Sequence, residues 1–131
     1  MPFYGGNLTY HIPLDVDVDG DVEVALGRFV GATAEISLDD GTPRMTAFAP
    51  HTAVFTAVPS GKHTVKIKVY GNRFNTFGCL HNFADHIRWC GPDAWRPAET
   101  DWRYDYKLRE TGLLEAPVVR INNMSKQEEI L

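Results

Sequence analysis

From Thr64 on, the run "KHTVKIKVY" (62–70) alternates polar and apolar residues. Val65, Ile67 and Val69 fall on one side of an extended chain, and Thr64, Lys66, Lys68 and Tyr70 on the other. A period of two belongs to a strand with one face in a core, because a helix would scatter the same residues around its axis. The pattern recurs. In "DVEVALGRF", Val22, Val24 and Leu26 oppose Glu23 and Ala25; in "GATAEISLDDG", Ala32, Ala34, Ile36 and Leu38 alternate. "RMTAFAP" and "HTAVFTAVPSG" predict two more strands, "DWRYDYKL" places Trp102, Tyr104 and Tyr106 on one face, and "APVVRI" predicts a last strand.

Turn signals such as Asp39-Asp40-Gly41 and Pro59-Ser60-Gly61 separate these runs. Short strands about ten residues apart predict an all-β sandwich or barrel. We expect a jelly-roll β-sandwich of about eight strands. "NFADHIRW" is the exception: Asn82 is placed to cap a short helical turn near 82–89, and Phe83 and Ile87 lie four apart. A chain of 131 residues suits one domain with one core, expected over 1–124 with a polar tail at 125–131. Strand-like residues begin close to Met1, as expected for a domain cut from a longer protein. Residues 71–101 form a long connection, and such connections in compact domains tend to carry function or contact another domain.

A net charge of -4 without a basic run disfavours nucleic acid, whose phosphates need clustered Lys and Arg. No apolar run is long enough to span a membrane, and "MPFYGGNLTY" lacks the basic-then-apolar order of a signal peptide. A cytoplasmic protein is therefore expected. The two cysteines, Cys79 and Cys90, build no disulfide framework; thiols or a single bridge both remain open. The sequons at Asn7 and Asn123 matter only in a glycosylating pathway.

Two patterns raise metal binding. Asp15, Asp17, Asp19 and Gly20 begin like a calcium loop, but Leu26 stands where a closing carboxylate is needed. Cys79, His81, His86 and Cys90 are all zinc-ligand types, in a C-x-H-x4-H-x3-C spacing that matches no common finger or ribbon. We expect no metal and no cofactor. The serines, Ser37, Ser60 and Ser125, lie in no nucleophile elbow, and no phosphate loop is present. Trp89, Trp95 and Trp102 cluster late in the chain with Tyr104 and Tyr106. Exposed rings of this kind stack on sugar faces, although each taken singly suits a core or interface role as well.

Three stretches carry a resemblance to a known family. "VPSGKHTVKIKVYGNR" is a Gly turn leading into an alternating strand with a Gly-Asn exit; "NTFGCLHN" is similar to an Asn-Thr-Phe-Gly-Pro-Leu-His stretch, with Cys79 at the usual proline; "DWRYDYKLRETGLLEAPVV" is similar to a Trp…Tyr-x-Leu…Gly-Leu…Pro closing segment. Together they span 58–119, and the chain resembles the non-catalytic, galactose-binding-like jelly-roll domains of bacterial glycoside hydrolases. The resemblance implies an accessory domain that binds glycan weakly or holds a catalytic domain of the same chain. The alternative is a small stand-alone carbohydrate-active enzyme on the same fold. For glycan binding, Trp95 or Trp102 would be the platform, and Asn72, Arg73, Asn75 and His81 of the 71–82 stretch would supply polar contacts. Gly71 is expected to let the chain turn sharply at the strand end.

Overall fold

The computed structural model describes residues 2–85 and 91–123. The described chain is almost entirely β-strand and loop, in the order β1 (Leu8–Val16), β2 (Gly20–Ala25), β3 (Phe29–Val30), β4 (Thr33–Leu38), β5 (Arg44–Met45), β6 (Thr52–Val58), β7 (Gly61–Tyr70), β8 (Gly112–Leu113) and β9 (Val118–Asn123). One sheet has the strand order β1-β7-β4-β5, a second β6-β2-β9, and β3 pairs with β8 as a small third ladder. Every pairing is antiparallel. Among the described residues, helical structure is limited to single turns at Phe74–Phe77 and Pro92–Trp95.

The alternation of β7 sets the architecture. Val65, Ile67 and Val69 are fully buried, and β7 is flanked by β1 on one side and β4 on the other. Ile67 lies opposite Tyr10 and Ile36; Val69 lies opposite Leu8 and Ala34. Val22 and Val24 of β2, with Ala53 and Val58 of β6, join the same buried cluster from the second sheet. Two sheets thus share one hydrophobic core, a sandwich-like all-β arrangement in which each fully buried Val or Ile contributes about 1.5–3 kcal/mol. The outer face of β7 is polar but covered. Lys68 pairs with Glu35 across the ladder at 3.4 Å, Tyr70 donates its hydroxyl to Glu35 at 2.7 Å, and Lys66 reaches Asp40 at 2.7 Å. The tyrosine hydroxyl, then the carboxylate, hold the Lys68 amine above its ordinary pKa.

β1 alternates over nine residues, with Leu8, Tyr10, Ile12, Leu14 and Val16 inward. It tolerates Pro13 because it is an edge strand with a partner on one side only. The acidic run that follows makes turns. Asp19 accepts the Ser60 amide at 2.6 Å and Asp21 accepts the Ala57 amide at 3.0 Å. The Ser60 backbone bond, seconded by the Ser60 side chain, holds the Asp19 carboxyl below its ordinary pKa.

Three expectations are corrected. Over Asn82–Asp85 no helical turn forms; Asn82 instead bridges to Trp102, and its side-chain oxygen accepts the Ala84 amide two residues on. This local bond offers the backbone an alternative to the helix. Residues 86–89 lie outside the described part. "DWRYDYKL" forms no strand; it crosses the surface as irregular chain held by isolated backbone bonds, Arg103 to His81 at 3.0 Å and Lys107 to Leu80 at 2.7 Å. "RMTAFAP" forms a strand only over Arg44–Met45; the buried Thr46 that follows gives both its amide and its hydroxyl to the Ala34 carbonyl.

Candidate functional site

The described residues of 71–111 pack as a layer of loop held by asparagine side chains. Asn75 is 5% exposed; its amide nitrogen donates to the Arg109 carbonyl at 2.8 Å and its oxygen accepts the Arg109 amide at 2.9 Å. Asn82 is 4% exposed and donates to the Ala94 carbonyl at 3.0 Å. Asn72 accepts the Phe74 amide and so starts the Phe74–Phe77 turn. These side chains stand in for regular ladders and pair the backbone groups of Phe74, Ala84, Ala94 and Arg109. Gly71 has no positive φ. Its hydrogen is needed because the Gly5 and Gly6 carbonyls pass directly over it, where a Cβ would collide. Close backbone approach, not a sharp turn, is its role.

The Asn82–Trp102 bridge places three of the expected site residues together. His81, Trp95 and Trp102 line one cleft of about 170 Å³, with Cys79, Leu80, Asn82, Ala94 and Pro97. Trp95 projects from the Pro92–Trp95 turn and Trp102 from the bridge, 53% and 40% exposed. The other three lie elsewhere. Asn75 is committed to Arg109, Asn72 to Phe74, and Arg73 is exposed beside Phe3, Tyr4, Thr76 and Phe77.

His81 is oriented by its own bonds. Nδ1 faces the Arg103 carbonyl at 2.8 Å and must donate there, so the neutral ring presents Nε2 as an acceptor. The imidazole stacks on Trp102 with centroids 5.5 Å apart and leans on Tyr106 at 4.8 Å. Trp102 meets Tyr104 edge-to-face at 4.5 Å, and Tyr106 meets Phe3 at 4.9 Å. Phe3, Tyr106, His81, Trp102 and Tyr104 therefore form a continuous row of rings, and each of its four carbocyclic or indole members is at least 40% exposed. Phe3 was not among the residues expected from sequence; its part depends on a contact across most of the chain, which no local pattern signals.

The metal-ligand patterns resolve differently. Among the described residues no three His, Cys, Asp or Glu side chains gather as a metal site. Cys79 is buried in the wall of the tryptophan cleft, while His86 and Cys90 lie outside the described residues. Among the described residues the histidine–carboxylate pair is His63 with Asp39, whose ring and carboxylate lie 2.8 Å apart. The other ring nitrogen faces the Pro59 carbonyl at 2.8 Å, so no nucleophile has access to it. No described helix is long and apolar enough to cross a membrane. No protein-family model, curated protein or solved structure matches the chain.

Proposed function

We propose that this chain is a non-catalytic accessory domain of the jelly-roll, galactose-binding-like kind, and that it binds glycan in the cleft of His81, Trp95 and Trp102. The observation that carries the reading is the convergence of two half-exposed indoles and an oriented imidazole on one surface. An indole face offers its negative π-surface to the weakly positive axial C–H groups of a sugar ring, and the His81 Nε2 can accept a hydrogen bond from a sugar hydroxyl. The cleft is smaller than the roughly 300–1,000 Å³ of sites that engulf a small molecule, so a sugar would lie across it. One stacked face and a few hydrogen bonds in water correspond to micromolar-to-millimolar dissociation constants, on the order of -8 to -4 kcal/mol.

A second reading is supported by the row of exposed rings itself. Tyr104 is 88% and Tyr106 54% exposed, more aromatic surface than a solvated loop layer needs. On that reading the row covers a catalytic domain of the same chain. Titration with a panel of mono- and oligosaccharides, followed by indole and amide NMR shifts, separates the two. Saturable shifts at the Trp95 or Trp102 indole, removed by alanine substitution, support glycan binding. A silent panel leaves the interdomain role.

A further inference from the structure

A second cleft, of about 390 Å³, is lined by Pro2 and Tyr4, the chain neighbours of Phe3, with Leu8, Asn75, Arg109 and Thr111. Among the described residues of that lining Arg109 is the one charged group, with no carboxylate beside it. The ion pairs among the described residues use Arg28, His63, Lys66, Lys68 and Arg120, not Arg109.

This arginine is held firmly for an exposed residue. Its backbone N–H and C=O are both clamped by the buried Asn75 amide. Its guanidinium carbon sits 3.7 Å from the centre of the Phe74 ring, so the flat group rests against a ring that the same loop positions. Stacking occupies the face of a guanidinium and leaves its edge N–H groups available, and those edges form the fork that matches a carboxylate. A fixed cation at a concave surface with no internal counter-ion is arranged for an anion from outside, because the entropy of ordering the side chain has already been lost on folding.

We propose that the Arg109 cleft is a carboxylate-binding subsite, and that it takes the uronate group of an acidic oligosaccharide laid along the neighbouring row of rings. Position supports the assignment to a sugar. Phe3 ends the row against Tyr106, and the residues on either side of it, Pro2 and Tyr4, line the Arg109 cleft. The row thus leads from the tryptophan cleft to the arginine. Thr111 in the lining is a residue whose type can hydrogen-bond a sugar hydroxyl. That the carboxylate belongs to a sugar rests on the glycan reading above; that Arg109 receives a carboxylate does not.

The test compares an oligogalacturonide with its carboxyl-reduced, neutral counterpart and with a sulfated oligosaccharide, by calorimetry and by NMR of the arginine Nε–H and tryptophan indole groups; free galacturonate is the small probe. The oligogalacturonide is expected to bind about tenfold tighter than the neutral chain, in line with a charge-assisted hydrogen-bonded pair, and the advantage shrinks as salt is raised. Arg109→Gln removes the advantage of the acidic chain over the neutral one. Arg109→Lys keeps the charge but loses the fork, and recovers only part of it; the paired variants keep the result readable if one folds poorly. Equal affinity for acidic and neutral chains overturns the subsite while leaving glycan binding intact. An Arg109 shift with free galacturonate, without any indole response to the oligosaccharides, supports the carboxylate subsite and removes the glycan reading. Preference for the sulfated chain, or no Arg109 response to galacturonate, overturns the proposal.

Discussion

The imidazole of His63 is held between two oxygen acceptors: Asp39 Oδ2 lies 2.8 Å from Nδ1 and the Pro59 carbonyl 2.8 Å from Nε2. Neither partner carries a hydrogen, so both bonds form only when both ring nitrogens are protonated. The side chain is 11% exposed. Asp39 also accepts the Thr64 amide at 2.7 Å, and its own amide donates to the Thr64 carbonyl at 2.8 Å. The arrangement ties the turn after β4 to the β6–β7 turn at one end of the core.

This lock predicts a pH dependence of stability. Asp39, then the Pro59 carbonyl, raise the His63 pKa; His63, then the Thr64 amide, lower that of Asp39. A raised histidine pKa stabilises the fold fully below the unfolded value near 6.5, and the contribution fades as pH rises through the folded value. A lowered Asp39 pKa acts above the unfolded value near 3.9 and fades as pH falls through the folded value. Urea-denaturation midpoints are expected to be highest in mildly acidic buffer and to fall above neutrality. His63→Gln should flatten the alkaline side of that profile; an unchanged slope in the variant would refute the lock.

The β2–β6 ladder contains a bulge, with Gly20 opposite Val58 and Val22 opposite Phe55. Ala57 stands in the extra position with φ +53, and its amide is taken by Asp21 in place of the ladder. An alanine there carries the steric cost of the left-handed region, about 1–2 kcal/mol, against the greater chain entropy lost by glycine. Ala57→Gly is therefore expected to stabilise by about 0.5–1 kcal/mol, read as a rise in the denaturation midpoint at constant slope. Asp21→Ala should act in the opposite direction by leaving the Ala57 amide without its partner.

Asn75 is the pin between the loop layer and the closing segment. Asn75→Ala leaves the Arg109 N–H and C=O without their partners, at a cost of about 2–3 kcal/mol for two hydrogen bonds in a partly buried place. The loss should be local first. Hydrogen exchange at the Arg109 amide is expected to accelerate while the amides of Val65, Ile67 and Val69, in the middle of the larger sheet, keep their protection.

Val65, Ile67 and Val69 were legible because a strand buried on one face writes its period directly into the sequence. β1 carries the same signal from Leu8 to Val16, but Pro13 and the aspartates from Asp15 onward obscure it. The loop layer was legible only in composition. Asn75 and Asn82 look like turn formers, and what they do depends on partners 34 residues away for Asn75 and 12 for Asn82. Trp102, Tyr104 and Tyr106 are spaced by two, a period that predicts alternation on a strand. Their rings gather instead around His81 and one another, on chain without a ladder.

The two tryptophans of the cleft should separate stability from binding. Trp102 is part of the ring row, stacked on His81 and in edge contact with Tyr104, and its backbone bridges to Asn82. Trp95 projects from a single turn, is more exposed, and makes no ring contact among the described residues. Trp102→Ala is thus expected to cost about 1–2 kcal/mol in stability, from one or two lost aromatic pairs, together with any saccharide response. Trp95→Ala should leave the denaturation midpoint within about 0.5 kcal/mol of the parent, as surface substitutions usually do. If Trp95 is the platform, its variant folds normally and no longer responds to the saccharides that bind the parent. If the Trp95 variant binds as well as the parent, the stacking face belongs to Trp102. The conservative Trp102→Phe, which keeps a ring against His81 but narrows the platform, would then show weakened binding with most of the stability retained.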